Sequence, residues 1–193
     1  MEEVHAPARV LVDRAILLDS ADADARACLA FWRFRSGDGQ GALIEAERAL
    51  AISPNLASAH HMRGAAMMHL GRHKEALVPL ETSIRLDPSG PYAIIPRDHL
   101  VAALYQSRQY EASIDAARNV IRIRPDHPPS YRWLAAALGQ LGHFEEAKAA
   151  LDKAITIGAA SFDMYVRNRA PFWRPDAHAH MVEGLRKAGW REA

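Results

Sequence analysis

The sequence has a single cysteine, Cys28, so no disulfide can form within this chain of 193 residues. No run approaches the roughly 18 apolar residues that a membrane-spanning helix needs. The N-terminal stretch MEEVHAPARV is acidic and lacks the basic and apolar segments of a secretory signal. These absences predict a cytoplasmic protein with no membrane partner, in which Cys28 fills a small buried place in a helix.

The sequence also lacks the short motifs that accompany catalysis. It has no glycine-rich phosphate loop, no G-x-S-x-G elbow and no Cys-x-x-Cys pair. Its formal net charge is +1 and the two signs of charge are interspersed, so there is no basic stripe of the kind that binds nucleic acid. We therefore expect no catalytic residues, no cofactor and no nucleic-acid partner.

Histidines, of which there are 10, are the feature that most suggests a metal site. His69 and His73 have the i,i+4 spacing of two ligands on one helix face, but Gly71 lies between them, where a helix is expected to end. Zinc needs three or four ligands, and no further cluster is evident. The other close pairs point apart on a helix: His60 with His61, and His178 with His180. We expect no metal site, and solvated positions for the neighbouring carboxylates Asp22, Asp24, Glu145 and Glu146.

The most informative feature that is present is a period of 34 residues. Pro54 and Pro88 are 34 residues apart, and Ser20 precedes Pro54 by the same interval. Pro125 follows Pro88 after 37 residues, and Ala159 ends a further unit 34 residues later. A repeat of this length predicts a stack of helical hairpins, in which neighbouring units bury each other's apolar faces.

Small residues recur at three fixed places within each period. We expect two helices to approach closely there, because a large side chain would keep them apart. These places hold Ala42, Ala76, Ser113 and Ala147; Ala49, Ser83, Val120 and Ala154; and Ala30, Gly64, Val101 and Ala135. Between the two helical segments of each unit the chain is expected to turn. The residues at that turn are Gly37, Gly71 and Gly142, with Arg108 in the remaining unit.

These residues resemble the tetratricopeptide repeat, a helix–turn–helix unit of the same length. The resemblance covers four complete units at 23–56, 57–90, 94–127 and 128–161, preceded by a half repeat at 4–19. It implies an all-α fold over residues 1–193: a single helix–turn–helix solenoid of about eleven helices, wound as a right-handed superhelix. The departures are local, namely Arg108, Ser113, Ala159 and an insertion at 89–92. Pro79 falls inside the helical segment HKEALVPLETSIRL, where we expect a kink and not a break.

Residues 162–193 differ from the repeats and are interpreted as a C-terminal capping segment. Asp176 is expected to cap a helix that runs to about Lys187, and Gly189 to stop it. The runs PFWRP and EGLRKAG of this tail resemble the end of the repeat region in bacterial class III adenylate cyclases and in some winged-helix regulators. An alternative function follows: a C-terminal regulatory fragment of such a protein, lacking its catalytic or DNA-binding half.

The tetratricopeptide resemblance implies a non-catalytic scaffold that binds a peptide or protein partner in a concave groove. The first helix of each unit faces this groove. By register, the partner-binding positions are Phe31, Phe34, Arg35, His61, Met68, His69, Asp98, Tyr105, Gln106, Arg132 and Gln140. For Phe31 and Phe34, packing between neighbouring helices is the open alternative. A carboxylate clamp of the chaperone-binding type is not expected, because its positions hold Ala27, Phe31, His61 and Ala65.

The half repeat carries an apolar stripe at helical spacing, formed by Val4, Ala8, Leu11, Val12, Ala15 and Leu18. In a complete repeat a preceding helix covers part of such a stripe. We therefore expect an exposed apolar edge that frays, pairs with a second copy of the chain, or docks on upstream sequence. The alternative is that the helix folds over against residues 23–36 and hides the stripe by itself.

Overall fold

The computed structural model describes residues 6–169 and 173–191. In these ranges the chain forms ten α-helices and one π-helical turn, and no strand. The predicted all-α fold is confirmed. The helices divide into two compact units, Met1–Ala93 and Ile94–Ala193, and the boundary falls one residue after the predicted insertion at 89–92.

Unit 1 consists of one single helix followed by two helical hairpins. The single helix α1 packs against α2, and the two hairpins, α2–α3 and α4–α5, pack together through α2, α3 and α4. The helices are α1 (Ala6–Leu18), α2 (Ala23–Arg35), α3 (Gly39–Ile52), α4 (Ala57–His69) and α5 (His73–Leu86). Helix α5 continues through Pro79, so the proline does not break it.

Unit 2 contains two further hairpins, α6–α7 and α8–α9, and a final helix that returns to them. Helices α6, α7 and α8 pack together, and α10 packs against α8 and α6. The elements are α6 (Ile94–Gln106), α7 (Tyr110–Ile123), α8 (Pro128–Leu141), α9 (Phe144–Phe162), the π-helical turn (Asp163–Arg167) and α10 (Pro175–Lys187).

The predicted small residues lie in the interior, between the helices of each hairpin. All twelve are buried, and Ala42, Ala76 and Ala147 have no exposed surface. The two serines among them are also satisfied as polar groups. The Ser83 hydroxyl donates to the Ala57 carbonyl oxygen at 2.8 Å, and that of Ser113 to the Val101 carbonyl oxygen at 3.0 Å. Each serine therefore fits an alanine site because its hydroxyl bonds the facing helix.

One backbone motif ends the first helix of every hairpin. Gly37, Gly71 and Gly142 have φ of 87°, 79° and 78°, and Arg108 takes the same left-handed conformation with φ of 62°. In each case the next residue donates its N–H to the carbonyl five residues earlier, as Gln109 does to Leu104 at 3.0 Å. This is the Schellman arrangement, which satisfies carbonyls at a helix end. The predicted turns are confirmed, and Arg108 adopts a conformation that is strained for a residue with a Cβ.

Two local predictions are wrong. Cys28 is exposed, because it lies on the same face of α2 as Asp24 and Phe31, which are also exposed. Asp176 does not cap α10, because the helix begins one residue earlier, at Pro175. Proline suits the first helical position, since its fixed φ is helical and it has no N–H to satisfy.

The stripe predicted on the N-terminal helix is exposed in part: Leu11 and Leu18 are exposed, whereas Val12 and Ala15 are half-buried. Leu11 is 66% and Leu18 80% exposed, and Leu17 beside them is 85% exposed. Val4 and the side chain of Ala8, which belong to the same predicted stripe, lie outside the described residues.

The tail follows a course that the repeat pattern does not predict. Helix α9 runs past Ala159 to Phe162, with a non-helical residue, Gly158, inside it. After the π-helical turn, α10 lies across α8 and α6, which are the first helices of the two repeats of unit 2. The interpretation of residues 162–193 as a C-terminal capping segment stays a prediction; within this segment, α10 packs mainly against α8 of the last repeat. Gly189, with φ of 99°, follows the helix as predicted.

Candidate partner-binding site

The predicted binding positions of unit 1 lie on α2 and α4, which pack against each other. Phe31 is 45% exposed. Phe34 is half-buried and packs against a core cluster of Ala30, Ala46, Met62 and Ala65. Its ring meets that of His69 edge-on, with centroids 6.0 Å apart. Of the two alternatives left open by the sequence, Phe34 packs between helices, whereas Phe31 presents its ring to solvent.

The remaining predicted positions of unit 1 surround these rings with mixed chemistry. Arg35 is exposed, and His61, Met68 and His69 are half-buried. The His69 ring lies close over the start of α3, where a Cβ on Gly39 would be only 2.7 Å from it. We call the exposed side of α2 and α4, with Phe31, Arg35, His61 and Met68, the α2–α4 face.

In unit 2 the corresponding positions lie beneath α10. Tyr105 has no exposed surface. Its hydroxyl donates to the carbonyl oxygen of His180 at 2.7 Å and accepts from Gln140 Nε2 at 3.1 Å. Burial is the main cause that raises the pKa of this phenol, so Tyr105 stays a donor across the accessible pH range.

Gln106 and Gln140 also bind α10. Gln106 Nε2 donates to the Ala177 carbonyl oxygen at 2.8 Å, and Gln140 Oε1 accepts from Lys187 Nζ at 2.7 Å. Because Gln106 donates through its nitrogen, its Oε1 is the acceptor for His180 Nδ1, 3.1 Å away.

His180 is held as a neutral ring at the centre of this contact. With Nδ1 donating, Nε2 accepts from the Tyr110 hydroxyl at 2.9 Å. The ring also packs against that of Tyr105, with centroids 4.6 Å apart and the ring planes tilted by 33°. Burial lowers the pKa of His180, and the positive charges of Arg108 and Lys187 lower it further, while Glu183 opposes them.

Two glycines allow α10 to approach α8 closely. A Cβ on Gly139 would overlap the carbonyl oxygen of Gly184 and lie 3.0 Å from the Ala188 nitrogen. A Cβ on Gly184 would lie 2.6 Å from the Ala136 carbonyl oxygen and would overlap the Tyr105 hydroxyl. These contacts leave no room for a side chain at either position. We call the surface of α6 and α8 under α10, with Tyr105, Gln106, Ala136, Gly139 and Gln140, the α6–α8 wall.

The last two predicted positions of unit 2, Asp98 and Arg132, have local partners. Asp98 contacts His127 Nε2 and accepts from the Ser130 hydroxyl at 3.0 Å. Arg132 is buried, and its guanidinium lies 4.9 Å from the ring centroid of Tyr165 and 5.9 Å from that of Trp173. Burial lowers the pKa of Arg132 to about 10. Neither side chain is presented to a partner on the described surface.

Sequence reasoning missed the role of α10 itself. From the sequence, His178 and His180 suggest only metal ligands, and the described residues contain no group of three potential metal ligands. One signal was available: Gly139 stands inside a helix at the register position that holds Phe34, Met68 and Tyr105 in the other units. A glycine at such a place indicates the close approach of another backbone.

Comparisons with known proteins support a tetratricopeptide-repeat protein. Residues 128–158 match the tetratricopeptide repeat family. The fold is similar to YrrB, described as a TPR protein with an unusual peptide-binding site, at 16% identity over 92% of this chain and 90% of that one, with a TM-score of 0.64. It is similar to MamA from Desulfovibrio magneticus RS-1 at 18% identity over 86% and 93% of the two chains, with a TM-score of 0.63. It is also similar to PilW, a type IV pilus biogenesis factor, at 16% identity over 92% and 82%, with a TM-score of 0.72. No curated protein matches in sequence.

These identities establish likeness of fold. The resemblance of the tail to adenylate cyclases and winged-helix regulators stays a prediction, and Pro171 and Phe172 of its motif lie outside the described residues. Within the part of the chain that the structure covers, no helix is both long and apolar enough to cross a bilayer.

Proposed function

We propose that this tetratricopeptide-repeat protein is a non-catalytic protein–protein interaction scaffold, and that it binds a peptide segment of a partner on the α2–α4 face. The observation that carries the proposal is the exposure of Phe31, 45%, at a position that the repeat register directs to the binding side. Aromatic side chains are enriched among the residues that dominate binding energy, because they bury a large area at a small cost in conformational entropy.

The composition of the face suits a peptide with apolar anchor residues. Phe31 and the half-buried Met68 supply apolar surface, and Arg35 and His61 supply polar groups at its border. An extended or helical peptide that places one apolar side chain against Phe31 would remove that ring from water.

The position of Cys28 gives a direct probe of this face. Cys28 is the chain's single cysteine, and it is exposed one helical turn before Phe31 on α2. Burial, Asp24 and Asp22 together raise the pKa of its thiol. An exposed free thiol also fits a reducing compartment, which supports the proposed cytoplasmic location.

The proposal is tested by selecting peptides from a random display library and measuring their affinity by fluorescence anisotropy. We expect Phe31→Ala to weaken binding by at least about tenfold, the loss typical of an interface anchor. The matched control is Phe144→Ala, which removes a ring that is 59% exposed on a second helix, α9. The bound peptide should also slow the reaction of Cys28 with a thiol reagent.

Two results would contradict the proposal. One is a selected peptide whose affinity falls equally in Phe31→Ala and Phe144→Ala. The other is a peptide that binds with full affinity after Cys28 has been labelled with a bulky group.

A further inference from the structure

We propose that the α6–α8 wall is a second binding site, specific for helices, which α10 fills in cis and from which a helix of a partner protein can replace it. The partner helix would share the pattern of α10: a glycine, with apolar residues three positions before it and one position after it. This inference deepens the scaffold function, and because it concerns unit 2 it can be tested separately from the α2–α4 face.

Two donors of the wall bind the backbone of α10 and not its side chains. Tyr105 donates to the carbonyl oxygen of His180 at 2.7 Å, and Gln106 donates to that of Ala177 at 2.8 Å. Every residue has the same backbone carbonyl group, whose oxygen has two lone pairs and can accept a second hydrogen bond inside a helix. These two donors would therefore serve a helix of another chain equally well.

Specificity comes from the close approach of the two backbones. A Cβ on Gly184 would lie 2.6 Å from the Ala136 carbonyl oxygen, and a Cβ on Gly139 would overlap the Gly184 carbonyl oxygen. A bound helix therefore needs glycine where α10 has Gly184. Met181 and Leu185, three residues before and one residue after it, are fully buried and act as the apolar anchors.

The repeats themselves do not require a helix on this side. Tyr105, Gln106, Gly139 and Gln140 correspond by register to Phe34, Arg35, Met68 and His69 of unit 1. In unit 1 Arg35 is exposed and the other three residues are half-buried, although the two hairpins pack together there as they do in unit 2. A pair of hairpins is thus compatible with an accessible wall, and α10 is an added ligand of that wall.

The experiment uses two full-length variants with complementary defects. Gly184→Val should expel α10 while leaving the wall intact. Gly139→Val should also expel α10, but here the new valine side chain lies on the wall and blocks it against every helix. The expelled α10 of this variant keeps its wild-type sequence and can still bind an open wall. We expect the two variants, when mixed, to form a complex that neither forms alone, because the α10 of Gly139→Val binds the open wall of Gly184→Val. Sedimentation velocity measures the complex.

A labelled peptide with the sequence of residues 173–191 provides the second measurement. We expect Gly184→Val to bind it at least tenfold more tightly than the wild-type chain does, since the wild-type α10 competes. Gly139→Val should not bind it, and a peptide with valine in place of Gly184 should bind to none of the proteins. Leu185→Ala, which loosens α10 without a steric clash, should lie between the wild type and Gly184→Val.

The outcome separates the two proposed sites. Phe31→Ala in the Gly184→Val background should leave binding of the 173–191 peptide unchanged. If both glycine variants keep their helical circular dichroism but form no complex and bind no peptide, the wall is not a helix-binding site. If the glycine variants unfold, the test relies on Leu185→Ala. The proposal is overturned if this variant does not bind the peptide more tightly than the wild type does. Equal peptide binding by all the chains, Gly139→Val included, would overturn it as well.

Discussion

The hydroxyl group of Tyr105 lies 2.7 Å from the carbonyl oxygen of His180 and donates a hydrogen bond to it. The same hydroxyl accepts a hydrogen bond from Gln140. One buried oxygen atom therefore connects α6, α8 and α10. Because Tyr105 has no exposed surface, water cannot easily replace either bond.

Tyr105→Phe should lower the free energy of unfolding by about 1–3 kcal/mol, because the substitution removes a buried donor and leaves its partners unsatisfied. The matched control is Tyr131→Phe, since the Tyr131 hydroxyl donates to the Pro125 carbonyl oxygen at an exposed place. The control should change the stability by less than about 0.5 kcal/mol. Urea unfolding followed by circular dichroism measures both variants. Equal losses of unfolding free energy would show that the buried Tyr105 hydroxyl stabilises the protein no more than the exposed Tyr131 hydroxyl does.

Ala76→Leu should destabilise the protein by roughly 1–3 kcal/mol, because it forces extra atoms into a helix contact with no free space. Ala76 has no exposed surface. Lys74→Leu, two residues earlier on the same helix, changes an exposed position and should alter the stability by under about 0.5 kcal/mol. Thermal melting compares the two, and similar shifts would contradict the assigned contact.

The stability should fall as the pH drops from neutral through the range where histidines titrate. Burial is the main reason why the pKa of His180 is lowered in the folded protein, so His180 binds a proton more readily in the unfolded chain. The free energy of unfolding therefore rises with pH across this window, and the contribution of His180 is lost as the pH falls through its folded pKa. His99 of α6 adds an effect of the same sign, because burial lowers its pKa too.

The check is to measure urea midpoints at several pH values for the wild type and for His180→Gln. The variant should show a shallower dependence, since glutamine has no proton to gain in this range. A dependence that is as steep in His180→Gln as in the wild type would assign the effect to other groups.

The N-terminal edge should mediate weak self-association. Leu11 and Leu18 are 66% and 80% exposed on α1, and a second copy of the chain would bury them. Leu11→Lys with Leu18→Lys should reduce association in sedimentation equilibrium and change the stability of the monomer by no more than about 0.5 kcal/mol per substitution. If the wild type is a monomer, slow hydrogen exchange across residues 6–18 would contradict an open edge.

The sequence predicts the hairpins well because their determinants are local and repeated. Ala42, Ala76 and Ala147 identify one helix contact three times over, and the turn glycines mark where each first helix ends. Even Arg108 obeys the pattern, since the hydrogen bonds of its neighbours hold it in the conformation that glycine adopts elsewhere.

The location of α10 could not be predicted in the same way. An apolar stripe with Met181 and Leu185 indicates that one face of a helix is buried, but it carries no information on the surface that buries it. The wall contacts α10 at backbone carbonyl groups and at Gly139 and Gly184, and neither kind of contact produces a periodic pattern in the sequence. For the same reason, register alone predicts partner-binding positions in unit 1, which stay a prediction, whereas the contacts of Tyr105 and Gln106 with α10 required the structure.

The bond between Tyr105 and His180 joins residues that are 75 positions apart. The hairpins need no such contact: the bond from Ser83 to Ala57 spans 26 positions, so a hairpin can form as soon as the ribosome has released it. At about 5–20 residues per second, translation from Tyr105 to His180 takes roughly 4–15 s. During that interval the nascent chain carries Tyr105 without the helix that covers it in the folded protein. Unit 2 thus has the higher contact order and the slower expected folding step, set by the arrival of its last helix.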